Sequence, residues 1–149
     1  MLWSYAKTQA SVVTDYTCAG FLMLREPIAD AMLRISEPDV IGFSCYLWNW
    51  NYNLALISAV KAKYPRCVII CGGPEVPDDS DGFFLRHPEI DYLVHGEAEV
   101  TFSELLRCIS NTGDRGSIAG ISYADANGNT IKTPPRQRIS DLSSLPSPY

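Results

Sequence analysis

Apolar residues along this chain come in two kinds of run, and the contrast between them predicts the architecture. The first kind is short and unbroken. Cys67-Val68-Ile69-Ile70-Cys71 is apolar throughout, with three β-branched members, and Gly72, Gly73 and Pro74 stop it. A run without alternation is what a strand buried on both faces needs, as in a parallel sheet covered by helices. Asp39–Ser44 (DVIGFS) and Asp91–His95 (DYLVH) read as strands of the same sheet, and Phe21–Leu24 (FLML) predicts a further strand near the start. The second kind of run repeats at i, i+3, i+4, i+7, the stripe of an amphipathic helix. Ile28, Ala31, Met32 and Ile35 follow Pro27 in this pattern, and Phe102, Leu105, Leu106 and Ile109 repeat it within a helix expected from about Glu99 to Ser110. Leu54, Ile57 and Val60 recur every three residues up to Tyr64, with Asn53 placed to cap that helix and Pro65 to stop it. Met1–Ala10 reads as the end of a helix with Leu2, Trp3 and Ala6 on one side.

The middle of the chain therefore alternates β-α-β-α-β-α, which implies parallel strands joined by right-handed crossovers. Residues 75–90 are acidic and loop-like, with a brief helical turn around Gly82–Arg86. Beyond residue 116 the pattern changes. Ile118–Ala124 and Asn129–Thr133 flank the turn signal Asp125-Ala126-Asn127-Gly128 and predict a β-hairpin. From Pro134 the Pro/Ser-biased PPRQRISDLSSLPSPY has no periodicity and reads as an extended linker. The fold class is α/β: a flavodoxin-like (Rossmann-like) parallel sheet flanked by helices, with a C-terminal β-hairpin and an extended linker. Residues 1–116 form the α/β domain, 117–133 the hairpin extension, and 134–149 a linker toward a domain outside this chain.

Composition narrows the functional classes. The chain has 149 residues, a net charge of −5 and no Lys/Arg cluster, so nucleic acid is not expected as a partner. No apolar run approaches the roughly 18 residues of a membrane span. The cysteines (Cys18, Cys45, Cys67, Cys71, Cys108) are odd in number and three lie in apolar runs, which reads as reduced thiols in a cytoplasmic protein. Cys67 and Cys71, four apart on a strand, would lie about 13 Å apart on one face and cannot share a metal. His87 and His95 have no carboxylate or thiol at ligand spacing, so no metal site is expected.

Three predicted strand ends carry small or polar residues: Ser44-Cys45-Tyr46 with Asn49, then Gly72-Gly73-Pro74-Glu75, then His95-Gly96-Glu97. In open α/β sheets ligands sit in the crevice beyond the carboxyl ends of the strands. These ends offer backbone amides, a hydroxyl, an amide side chain and aromatic rings, which suits a large flat ligand bearing polar amide groups. Phosphate fits less well, since neither GxGxxG nor GxxxxGK[ST] is present. Plainer roles stand beside these. Gly72-Gly73 also makes a tight strand-to-loop turn, Trp48 and Trp50 can cover the core, and Asn49, Asn51 and Asn53 suit turns and caps. Glu97 and Glu99 can serve the N-terminus of the helix that follows, which is the stronger role for Glu99.

At these strand ends the sequence resembles a known family. DVIGFSCYLWNWN, IICGGPEVP, DYLVHGEAEVTFSELL, IAGISY and the terminal ISDLSSLPSPY are similar, in that order, to the N-terminal cobalamin-binding domain of cobalamin-dependent radical SAM proteins. The resemblance covers about residues 37–149. It implies a five-stranded parallel sheet with cobalamin over the carboxyl strand ends, and a first strand that would precede Met1. Carried over by position, the cofactor-binding residues are Ser44, Tyr46, Trp48 and Asn49 after one strand, Gly72, Gly73, Pro74 and Glu75 after the next, and Gly96 and Glu97 after the third. The signature CxxxCxxC is absent, because Cys67-x-x-x-Cys71 is followed by Pro at position 74. The iron–sulfur cluster and S-adenosylmethionine would therefore belong to an absent C-terminal domain, on the same or a partner chain, and this chain would not be catalytic alone. The lower-axial DxHxxG motif of other cobalamin domains is also missing, which implies a histidine-off cofactor with its benzimidazole displaced. The implied role is to position methylcobalamin for methyl transfer or related radical chemistry. The alternatives from other classes are a flavodoxin-like nucleotide- or flavin-binding module and a structural accessory domain that has lost its ligand.

Overall fold

The computed structural model describes residues 1–111, 113–140 and 145–146. Its sheet has five strands in the order β1 (Val40–Ser44), β2 (Val68–Gly72), β3 (Tyr92–Val94), β4 (Ile121–Ala124) and β5 (Thr130–Lys132). The helices are α1 (Leu2–Ala6), α2 (Ala10–Asp15), α3 (Ile28–Leu33), α4 (Trp50–Lys63), α5 (Phe83–Arg86) and α6 (Glu99–Asn111). No helix among the described residues is long and apolar enough to cross a membrane.

Unbroken apolar runs gave the parallel core because both faces of each strand are covered. On one face Phe43, Ile69, Cys71 and Leu93 pack against α3, α4 and α5 through Ala31, Leu56, Ile57, Val60 and Phe83. On the other, Ile70, Val94, Ile121 and Tyr123 meet Leu105 of α6, while Ala6 of α1 and Val12 of α2 close over Leu106. Fully burying one such Leu or Ile contributes about 1.5–3 kcal/mol. Helices of five or six residues like α1, α2 and α3 are far below the length at which a helix stands alone in water. Packing on the sheet holds them.

Strands β1, β2 and β3 are parallel and in register, with Ser44 opposite Gly72 and Gly72 opposite Val94. The hairpin completes the sheet, but antiparallel: β4 pairs against β3 and β5 against β4. The five parallel strands implied by the resemblance are thus three parallel strands plus a reversed fourth, and β5 again runs with β1–β3. The cause is where the chain re-enters. His95 N donates to Gly120 O (2.8 Å) at the carboxyl edge of β3, so β4 can only run back from there. Asp125 then fixes the turn, its Oδ1 accepting from Asn127 N and Asn129 N, both at 2.8 Å.

Three local expectations are corrected. Phe21–Leu24 is not a strand: Phe21, Met23 and Leu24 are 65%, 84% and 74% exposed and no sheet neighbour pairs with them. An apolar run becomes a strand only where an edge accepts its hydrogen bonds. Met1–Ala10 holds one short helix and the start of a second, broken at Lys7–Gln9, in place of a single helix end. Asn53 does not cap α4. That helix starts a turn earlier at Trp50 behind Asn49, and its buried stripe is Asn53, Leu56, Ile57 and Val60, with Leu54 only half-buried. Of the expected linker, residues 134–140 are described and bound to the domain, while 141–144 and 147–149 lie outside the described residues.

Candidate functional site

Each parallel strand ends on a turn whose geometry follows from a few residues. After β1 the chain folds back through Asn49, whose Oδ1 accepts from Tyr46 N (2.8 Å) and whose Nδ2 donates to Ser44 O (2.9 Å). Asn53 donates from Nδ2 to the same carbonyl (3.1 Å) and lies 3.7 Å from Cys45 Sγ. Two amides on one carbonyl hold the β1 end rigidly and leave the Ser44 side chain exposed. Tyr46 and Trp48 stack at 4.5 Å with planes 13° apart, and Trp48 is 66% exposed. Arg25 Nη1 donates to Trp48 O (2.6 Å), which brings the exposed Phe21–Leu24 segment beside this loop. Sequence reasoning missed Arg25, since nothing local pairs it with a loop 23 residues away.

The β2 turn is built on Gly73. Its φ is +118°, and a Cβ there would lie 2.5 Å from Cys45 O. Glycine is needed because the β1 backbone passes where a side chain would stand. Cys45 N donates to Gly72 O (2.7 Å) and Glu75 N to Cys45 O (3.2 Å), so the two strand ends are joined edge to edge. Pro74 is exposed and Glu75 half-buried on this rim. Beneath it, the Cys71 thiol is held up, and so protonated, by its hydrogen bond with Cys45 and by burial.

At the end of β3, Gly96 has φ +71° and no atom within 4 Å of a built Cβ, so it faces open space. His95 points elsewhere. Its Nε2 lies 2.8 Å from Ser122 Oγ, and Ser80 Oγ donates to the same hydroxyl (3.1 Å). The Ser122 hydroxyl can accept from Nε2–H or donate to Nε2, so the imidazole tautomer sets the direction of this bond. Burial, then nearby Lys132, push its pKa below the usual 6.5. His87 is a packing ring against Phe83 (4.8 Å) and Trp50 (6.3 Å). Glu97 is exposed, and its Oε2 accepts from Ile139 N (2.7 Å).

The structure therefore brings the predicted residues of the three strand ends to one edge of the sheet. Ser44, Trp48, Gly73, Pro74, Gly96 and Glu97 are exposed there; Tyr46, Asn49, Gly72 and Glu75 are half-buried. A hollow of about 430 Å³ lies at the opposite end of the parallel strands, where Val68 and Tyr92 begin β2 and β3. Ligand crevices of open α/β sheets lie beyond the carboxyl ends, so that hollow is not the candidate site.

The B12 binding domain family model matches residues 8–106. Across its whole length the chain is 35% identical to the cobalamin-dependent radical SAM methyltransferase TokK of Streptomyces tokunonensis. It is 33% identical, again over its whole length, to 2-(S-pantetheinyl)-carbapenam-3-carboxylate methyltransferase of Streptantibioticus cattleyicolor. It spans 22% of the length of each of these relatives. Among solved structures, the cobalamin-dependent S-adenosylmethionine radical enzyme OxsB with aqua-cobalamin and S-adenosylmethionine bound superposes with a TM-score of 0.64 at 20% identity. That match covers 75% of this chain and 16% of OxsB and is a likeness of fold. Family match and full-length identity to these relatives agree: the chain belongs to the B12-binding domain family, as a homologue of part of cobalamin-dependent radical SAM methyltransferases.

Proposed function

We propose that this chain carries cobalamin over the carboxyl ends of β1, β2 and β3, as one part of a cobalamin-dependent radical SAM enzyme of the methyltransferase type. The observation that carries this reading is the shared level of those three ends, Ser44 opposite Gly72 and Gly72 opposite Val94, in a chain of the B12-binding family. The residues present fit a corrin. Gly96 leaves its backbone open with no atom within 4 Å of a built Cβ, the Ser44 side chain is exposed, and the stacked Tyr46–Trp48 pair offers an exposed flat wall. Bound cobalamin would supply the methyl-carrying chemistry, while the protein supplies placement and a dry, shaped surface.

The residues divide by role. Ser44 presents a hydroxyl, and Tyr46 with Trp48 an apolar face. Asn49 works through the loop it pins. Gly72, Gly73, Pro74 and Glu75 offer a rim of backbone already locked to β1, and Gly96 with Glu97 marks the third side. A locked rim loses little conformational entropy on binding, which favours affinity. His95 would not ligate cobalt, because its Nε2 is engaged by Ser122, and the benzimidazole would be displaced. The iron–sulfur cluster and S-adenosylmethionine would be held by a radical SAM domain on the same or a partner chain. The five cysteines are free thiols, in keeping with a reducing, cytoplasmic setting.

The test is titration with hydroxocobalamin, gel filtration, and visible absorption and EPR of the protein fraction, with circular dichroism to establish folding. Retained corrinoid without nitrogen coordination to cobalt is expected. A folded protein that elutes colourless overturns the reading, and nitrogen coordination that vanishes in His95→Gln overturns the histidine-off assignment.

A further inference from the structure

Because β5 runs parallel to β1–β3, it delivers the chain to the crevice edge at Lys132. The next residues turn back across the molecule. Gly120 N donates to Pro134 O (2.8 Å). Arg136 Nε donates to the hydroxyl of fully buried Thr101 (2.7 Å), and its Nη2 pairs with Glu104 of α6. Ile139 N donates to Glu97 Oε2 (2.7 Å). Gly120, at φ +79°, lets the segment lie close: a Cβ there would meet Arg136 Cβ at 3.4 Å. Residues 134–139 thus form a strap fixed at three points.

Between the strap and the end of β3 lies a cavity of about 240 Å³ lined by Gly96, Glu97, Arg136, Gln137 and Arg138. At about 30 Å³ per liquid water, it holds roughly a short side arm and not a macrocycle. Arg136 and one oxygen of Glu97 are occupied in holding the strap. Gln137 and Arg138 are exposed and make no side-chain hydrogen bond among the described residues. The lining therefore offers an amide, a guanidinium and one remaining carboxylate oxygen, a set of donors and acceptors within one small space. A primary carboxamide matches that set with its carbonyl oxygen and two N–H donors. An anion would face the Glu97 carboxylate, and an apolar group would strand the polar lining.

We propose that this cavity is a subsite for one carboxamide arm at the corrin edge, held by Gln137 and Arg138 of the strap above Gly96. The inference rests on the cobalamin reading given under Proposed function. Its experiment uses the intact 149-residue chain, with hydroxocobalamin and with cobinamide, which keeps the corrin amides and lacks the nucleotide and phosphate. Gln137→Ala combined with Arg138→Ala weakens both corrinoids by a similar factor, about tenfold for one or two lost hydrogen bonds. The thermal midpoint stays at the wild-type value, since neither side chain holds the fold. Equal affinity of variant and wild type overturns the subsite, and a loss confined to hydroxocobalamin overturns the carboxamide assignment in favour of phosphate. Wild-type protein that is folded yet retains neither corrinoid removes the cobalamin reading itself. Hydrogen exchange tests the strap without ligand. The Ile139 amide is protected in wild type and loses protection in Glu97→Ala, and free exchange in wild type overturns the docked strap on its own.

Discussion

Replacing Gly73 with alanine puts a methyl group where the Cys45 backbone lies. The added Cβ would be 2.5 Å from Cys45 O, 3.0 Å from Cys45 N and 3.3 Å from its carbonyl carbon, on a backbone at φ +118°. None of those atoms is the end of a flexible side chain, so relief requires β1 and β2 to part. Parting them breaks Cys45 N to Gly72 O (2.7 Å) and Glu75 N to Cys45 O (3.2 Å). Two hydrogen bonds at about 0.5–1.5 kcal/mol each and a strained backbone at about 1–3 kcal/mol give a loss of about 2–6 kcal/mol. Two neighbours serve as controls. Gly72→Ala meets only ordinary contacts, the nearest Val94 Cβ at 3.7 Å, and should stay within about 0.5 kcal/mol of wild type. Gly96→Ala has open space but φ +71°, worth about 1–2 kcal/mol. Urea unfolding followed by circular dichroism should rank the midpoints Gly72→Ala, Gly96→Ala, Gly73→Ala from highest to lowest, with similar slopes. A Gly73→Ala midpoint at or above that of Gly96→Ala would refute the reasoning.

Other perturbations have equally definite outcomes. Asn49→Ala removes the bonds to Tyr46 N (2.8 Å) and Ser44 O (2.9 Å) and should cost about 1–3 kcal/mol in the same assay; an unchanged midpoint would mean water replaces both. His95 should titrate below 6.5 by NMR, because burial and Lys132 disfavour its charged form. Its contribution to stability is then full above 6.5 and lost as pH falls through the folded value, so His95→Gln should flatten the acid limb of a pH–stability curve. The Cys67 thiol, pushed by burial from 9.0 to about 11, contributes stability that is full below 9 and lost as pH rises through 11; an alkaline limb unchanged in Cys67→Ala would contradict this. Iodoacetamide at pH 8 should label exposed Cys18 first and spare buried Cys45, Cys67 and Cys71, read by peptide mass spectrometry, and equal labelling of Cys71 would contradict the burial.

Much of the fold was legible because unbroken apolar runs and helical stripes report burial directly. VIIC between Cys67 and Gly72, the Phe102–Ile109 stripe and the Asp125–Gly128 turn needed no tertiary knowledge. What escaped depended on partners distant in sequence. Phe21–Leu24 has a strand's composition, yet a strand also needs an edge, and none pairs with it. The sequence offers Asn53 as the cap of α4, and the structure puts Asn49 in that place. The Ser44 carbonyl takes an amide from each, and only Asn53 lies on the buried stripe; a polar residue spaced with Leu56, Ile57 and Val60 was the available signal. Gly73 stood out by composition, but the neighbour that requires it, Cys45, is 28 positions away in sequence. The strap reads in the sequence as part of an extended linker, because its Pro/Ser-biased residues lack periodicity. Its attachment runs through single side chains, Arg136 and Glu97, which leave no pattern.

The hydrogen bonds under the β2 loop also order events in folding. Ser80 Oγ reaches Ser122 Oγ across 42 positions of sequence, Thr130 Oγ1 reaches Ser80 O across 50, and Lys132 Nζ reaches Asp78 O across 54. Contacts over such separations bring the entropic cost of closing a long loop, which must be met before they stabilise anything. The loop that rims the crevice is therefore fastened by the hairpin, whose strands come last along the chain. In pulse-labelled refolding the amides of residues 78–82 should gain protection no earlier than those of β4 and β5, to which they are bound. The edge at which the three parallel strands end is thus completed by β4 and β5 as well as by those strands.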